Sequence, residues 1–160
     1  NALKPLENQA KNKGLSWHLD LPEDCPELVY ADPVRLRQIV LNLVGNAVKF
    51  TKQGGIEIKI ECKSLYCNLE AGEHEIIGPG EVIDFVFHVS DTAGGVPAHK
   101  SEYIFEPFNQ AEDIMTRNYD GTGLGLSISK QLVEMMGGEI WLKTQEGQGS
   151  VFGFSLFLRS

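Results

Sequence analysis

The chain has 160 residues, 42% of them hydrophobic and 22% charged, with a formal net charge of −8. A chain of that length can bury about 70% of its unfolded surface in one domain and needs no staples. The acidic balance argues against a basic nucleic-acid footprint, and no apolar run approaches the ~18 residues of a membrane span.

Asparagine at position 1 reads as a segment of a longer protein, and no signal peptide opens it. Cys25, Cys62 and Cys67 are odd in number and follow no zinc spacing, which points to a reducing cytoplasm. Residues 2–12 read as a short polar helix ended by Lys13-Gly14. Leu15, Trp17 and Leu19 alternate with Ser16, His18 and Asp20, the pattern of a half-buried strand. "LVYA" at 28–31 reads as a short strand, after which Asp32-Pro33 starts a helix with a side-chain cap and proline at the first position.

That helix is the clearest element in the chain. Leu36, Ile39, Val40, Leu43, Val44, Ala47 and Val48 recur at three-and-four spacing as far as Phe50, and Gln53-Gly54-Gly55 stops the run. "GIEIKIEC" at 55–62 and "VIDFVFHV" at 82–89 read as paired strands across a long polar loop, residues 63–81. Residues 96–119 are irregular with short helical pieces. A second helix is expected from Leu124 to Met136, ended by Gly137-Gly138, and "EIWLKT" and "SVFGFSLFL" close the chain as strands.

Opposite the apolar stripe of the long helix, Asn42, Asn46 and Lys49 share one face. Asparagine is a poor helix former because its amide competes with the backbone. The face is therefore either a solvated surface or a carbonyl-oxygen donor for a hard cation with a lysine near phosphate. Gly121-Thr122-Gly123-Leu124-Gly125 runs straight into the second helix, where free N–H groups and the dipole favour an anion. It matches neither a Walker loop nor a dinucleotide fingerprint, so a tight turn competes with a phosphate site. Arg117 upstream has the chemistry for a bidentate phosphate contact. In "DTAGGVP", Asp91 ends a buried strand, where a carboxylate can accept from an exocyclic amine or serve an ordinary turn.

Taken in order, "DPVRLRQIVLNLVGNAVKFT", "DTAGGVP", "IFEPFNQ", "GTGLGLSISKQLVEMMGGEIW" and "GQGSVFGFSL" resemble the catalytic and ATP-binding domain of sensor histidine kinases. The first is the asparagine box and the third the phenylalanine box. The family belongs to a larger group with gyrase, heat-shock chaperone and mismatch-repair ATPases, and the style here is closest to hybrid, phosphorelay-type kinases. The resemblance runs from about Leu28 to Leu158.

It implies an α/β (α+β) fold of the Bergerat ATP-binding type over residues 1–160 as one domain. That fold is a two-layer sandwich in which helices pack on one face of a mixed, mostly antiparallel sheet. By position, Asn46 would coordinate Mg²⁺ with Asn42 assisting, Lys49 would touch the phosphates of ATP, and Phe50 would flank the nucleotide. Asp91 would accept the adenine amine, and Gly95 would keep the pocket floor clear. Residues 109–120 would form a lid, and Gly121, Gly123 and Gly125 would meet the triphosphate. Related ATPases carry a glutamate where Asn42 stands, and an amide cannot take a proton at neutral pH, so the resemblance implies phosphotransfer rather than hydrolysis.

One departure stands out. The family's first adenine-loop glycine is Ala93 here, which keeps open a degenerate regulatory module with weak or no nucleotide binding, beside a plain ATPase. His18, His74, His88 and His99 lie in no acceptor motif, so the acceptor belongs to a separate dimerisation and histidine phosphoacceptor domain, with a response-regulator receiver domain downstream. His88 reads as structural. The isolated domain is expected to be a cytoplasmic monomer without nucleic-acid partners.

Overall fold

The computed structural model describes residues 2–65, 81–92, 105, 125–145 and 147–160. Its longest helix begins where the sequence predicts: Asp32 takes an extended conformation and its carboxylate accepts from the Val34 and Arg35 amides at 3.0 and 3.1 Å. This helix follows a shorter one and a strand, so the order opens with α1 (Lys4–Asn12), β1 (Ser16–Asp20) and α2 (Pro33–Phe50). It continues with β2 (Gly55–Ser64), β3 (Val82–Asp91), α3 (Gly125–Met135), β4 (Glu139–Gln145) and β5 (Gly149–Arg159).

The five strands form one sheet in the order β1-β2-β3-β5-β4. β1 pairs parallel with β2, and the remaining neighbours are antiparallel. Period-two alternation gives the sheet one apolar face, with Ile56 and Ile58 from β2, Ile83, Phe87 and Val89 from β3, and Phe152, Phe154 and Leu156 from β5 all buried. Onto that face pack Ile39, Leu43, Val44, Ala47 and Val48 of α2 and Val133 of α3. The result is the expected two-layer arrangement, helices on one face of a mixed, mostly antiparallel sheet. On the other face Trp141 lies edge-on to His88, ring centroids 5.7 Å apart, which bears out the structural reading of that histidine.

Three expectations change in detail. Residues 28–31 do not make a strand; Tyr30 forms a single bridge to Arg159 and donates its amide to that carbonyl at 2.7 Å. Pro26 and Pro33 flank the segment, and prolines lack the N–H that a longer ladder needs. β2 and β3 each run two residues further, pairing Ser64 with Ile83 and Ile56 with Asp91, so the 63–81 loop starts later than expected. Of that loop, residues 66–80 lie outside the described residues, as do the 109–120 lid and, apart from Phe105, the irregular stretch 96–119. Cys25 and Cys62 are joined by a disulfide, Cα atoms 5.6 Å apart. The odd cysteine count therefore does not identify a reducing compartment. Among the described residues no helix is long and apolar enough to cross a membrane.

Candidate functional site

The site is built around the C-terminal half of α2. The apolar stripe that buries Leu43, Ala47 and Val48 fixes the rotation of the helix. Asn42, Asn46 and Lys49 consequently lie along the edge of the core, half-buried, with Phe50 more exposed at the last turn. The two asparagines differ in what they touch. Asn42 Nδ2 donates to the Gly125 carbonyl and to Ser129 Oγ, each at 3.3 Å, and Ser129 Oγ donates in turn to the Gly125 carbonyl at 2.9 Å. This knot binds the first turn of α3 to the middle of α2. Among the described residues no hydrogen bond engages the Asn46 amide, one turn further on.

Helix α3 is the element into which the glycine run leads. Gly125 is its first residue, and its position has open space where a Cβ would stand. The knot thus brings Gly125, the last residue of the glycine run, to Asn42, one helical turn before Asn46. Arg117, Gly121, Thr122, Gly123 and Leu124 lie outside the described residues, as do Ala93, Gly94 and Gly95.

The other wall is the end of β3. Asp91 closes that strand on the core side and is 9% exposed, paired in register with Ile56 of β2 and Ser150 of β5. The next residue ties this strand end to the exit of α2: the Thr92 hydroxyl donates to the Gln53 carbonyl at 2.9 Å and accepts from the Gly55 amide at 3.1 Å. Gly149 faces the same point with φ of +122°, and a Cβ there would stand 2.1 Å from the Asp91 carbonyl oxygen. The strands can close around Asp91 only because residue 149 has no side chain. Asp91 and the last turn of α2 therefore share one end of the sheet.

The Lys49 ammonium lies 5.3 Å from the centre of the Phe50 ring, within cation–π range, and Phe50 is 37% exposed. Among the described residues no three His, Cys, Asp or Glu side chains gather to hold a metal. A cation here would depend on a neutral amide oxygen, phosphate and water, a donor set that suits Mg²⁺. The Asn46 amide, which no described residue engages, fits that role, and Asn42, whose bonds to α3 use its N–H₂ and not its carbonyl oxygen, stays compatible with an assisting one. An open groove of about 330 Å³ beside Asp20, Pro22 and Lys59–Lys63 includes none of these residues.

Sequence reasoning passed over Ser129, Thr92, Gly149 and Lys13, whose ammonium meets carbonyls at the end of α2 at 2.6–3.2 Å. Only Gly149 carried a signal, as the glycine before a strand in "GQGSVFGF".

Residues 31–160 match the family model described as "Histidine kinase-, DNA gyrase B-, and HSP90-like ATPase". The chain is 40% identical over 151 residues to the sensory/regulatory protein RpfC of Xanthomonas campestris pv. campestris, covering 94% of this chain and 19% of that protein. It is 37% identical over 153 residues to the signal transduction histidine-protein kinase BarA of Escherichia coli K12, covering 96% of this chain and 15% of that one. A solved structure, full-length ShkA in complex with AMPPNP, superposes with a TM-score of 0.75 at 32% identity over 99% of this chain and 29% of that chain. The chain spans less than a fifth of these two curated relatives.

Proposed function

This chain belongs to the histidine kinase-, DNA gyrase B- and HSP90-like ATPase family, on its sensor histidine kinase branch, and we propose that it binds ATP with Mg²⁺ and presents the γ-phosphate to a histidine on a separate dimerisation and phosphoacceptor domain. One observation carries this reading. The Asn42 knot holds Gly125, the end of the glycine run, one turn from Asn46, which no described residue engages, on the helix whose exit is tied to Thr92, next to buried Asp91.

Asp91 accepts the exocyclic amine of adenine, and Phe50 lies against the base or sugar. Lys49 contacts phosphate oxygens, and the amides from Gly121 to Gly125 close on the triphosphate. Asn46 holds Mg²⁺, which supplies charge neutralisation on the phosphates when bound. Asn42 is a donor into α3, and its neutral amide cannot accept a proton, so nothing at this position activates water. The residues align ATP, and the acceptor histidine brings the nucleophile. Residues 1–160 act as one domain, with a receiver domain accepting the phosphoryl group downstream.

The test is to mix the chain with the phosphoacceptor domain of its parent and γ-labelled ATP·Mg²⁺. Label on the acceptor histidine, lost in an Asn46→Asp variant that still folds, is the expected result. Label found only as free phosphate would replace this reading with a plain ATPase.

A further inference from the structure

α2 ends in an unusual way for a helix that carries a binding turn. Its last carbonyls have no donors within the helix, and many helices close them with a left-handed glycine. Here the C-cap is Thr51, in an extended conformation (φ −80°, ψ 120°), and its amide serves only the Ala47 carbonyl at 3.0 Å. The Thr51 hydroxyl is buried and has no hydrogen-bond partner among the described residues.

The missing donors come from the far end of α1. Lys13 Nζ donates to the Val48, Lys49 and Thr51 carbonyls at 2.6, 3.2 and 3.1 Å. An ammonium has three N–H donors, and all three are used. α1 aims this side chain by its own ending: the Gly14 amide bonds the Lys11 carbonyl at 2.9 Å, and Gly14 turns back at φ +76°. The Leu15 amide then closes on the Ala10 carbonyl at 3.0 Å, with both residues in the core.

We propose that Lys13 is a positioning residue of the nucleotide site: its ammonium clamps the turn that presents Asn46, Lys49 and Phe50. It also offsets the negative end of the α2 dipole, which would otherwise face the triphosphate. This inference rests on the nucleotide-binding reading above, and it makes α1 an element that holds the last turn of the site.

The experiment uses the whole 160-residue chain with Lys13→Met, Lys13→Arg and, at the opposite end of α2, Asp32→Ala. It measures ATP·Mg²⁺ affinity well below the melting temperature, the melting temperature itself, and amide exchange at Thr51 without nucleotide. Lys13→Met should weaken ATP·Mg²⁺ about tenfold, the size of one charged hydrogen bond, and Lys13→Arg should recover most of it. Thr51 exchange should quicken about tenfold in Lys13→Met alone. Asp32→Ala should lower the melting temperature comparably and leave affinity unchanged. Wild-type affinity and exchange in Lys13→Met overturn the clamp, and so does an equal affinity loss in Asp32→Ala. Should the unaltered chain bind no nucleotide, the proposed function falls and the clamp on the turn stands or falls by the exchange rates.

Discussion

Asn42→Asp removes a donor and puts a carboxylate where the structure has an N–H₂ group. Two hydrogen bonds are lost, those to the Gly125 carbonyl and to Ser129 Oγ, both 3.3 Å and so at the weak end of the range. At about 0.5–1 kcal/mol each their loss removes roughly 1–2 kcal/mol. The carboxylate then faces a carbonyl oxygen. Ser129 can turn its hydroxyl to the new acid, but only by deserting the Gly125 carbonyl, which it now meets at 2.9 Å. The expected total is about 2 kcal/mol at pH 7. Asn42→Leu, with no charge, should cost less.

The penalty of the acid depends on pH in a definite direction. A carboxyl beside carbonyl oxygen and half-removed from water has its folded pKa raised above the unfolded value of about 3.9. The stability offered by its protonated, donating form is full below that unfolded value and is lost as pH rises through the folded pKa. Urea unfolding of both proteins at pH 4 and pH 7 reads this directly. With a slope of about 2 kcal/mol per molar, the midpoint should fall by about 1 M at pH 7 and by clearly less at pH 4. A loss under about 0.5 kcal/mol at pH 7, or one of equal size at both values, would refute the donor role of Asn42.

Other outcomes follow from single contacts. Gly149→Ala should cost about 2–4 kcal/mol in urea unfolding, because its Cβ meets the Asp91 carbonyl oxygen at 2.1 Å in a left-handed conformation; a near-neutral result would mean the strands close differently around Asp91. Breaking the Cys25–Cys62 bond, by reduction or by Cys25→Ser, should cost about 4 kcal/mol on chain-entropy grounds for a separation of 37 residues, read as a lower melting temperature in reductant. The hydrogen bond from Lys59 holds the Glu61 carboxyl below its usual range, and the same contact raises the Lys59 pKa. The contribution of the pair is therefore present between the two unfolded values, lost as pH falls through the folded Glu61 pKa and again as it rises through that of Lys59. A carboxyl titration by NMR should show Glu61 moving up in Lys59→Met.

Much of this layout was legible in the sequence because its signals are local. Asp32-Pro33 and the three-and-four stripe set α2, and runs rich in Val, Ile and Phe set β3 and β5. The order of motifs, with Asn46 and Asp91 in two of them, pointed to a candidate site, and Thr92 beside Asp91 meets the exit of the helix that carries Asn46. What escaped is long-range by nature. Lys13 reads as the last residue of a polar helix, and its acceptors lie 35 to 38 residues away. Ser129 reads as one more polar residue on a helix, and only the approach of α2 gives it a partner. Residues 28–31 have strand composition, but a strand also needs an unblocked neighbour, and the chain allows Tyr30 a single bridge. The disulfide escaped because three cysteines permit several pairings and spacing selects none.

The ties on α2 show which of its groups are fixed and which are left open. Its N-terminus is held by Asp32, its middle by Asn42 through α3, its last turn by Lys13 from α1, and its exit by Thr92 from β3. Three of these four anchors come from distant parts of the chain, so the helix cannot rotate or slide without breaking several at once. Within that frame the Asn46 amide has no described partner and Phe50 is the partly exposed aromatic ring of its final turn. A scaffold evolved for stability alone gains nothing by leaving a half-buried amide unmatched beside such anchors. A scaffold that must meet a ligand does gain, because groups held in place and unengaged cost little to reorganise on binding. By this logic, cutting an anchor on the half of α2 that carries the site, at Asn42, Lys13 or Thr92, should weaken nucleotide binding through loss of alignment even where the fold survives, whereas substituting Asn46 should weaken it with the frame intact.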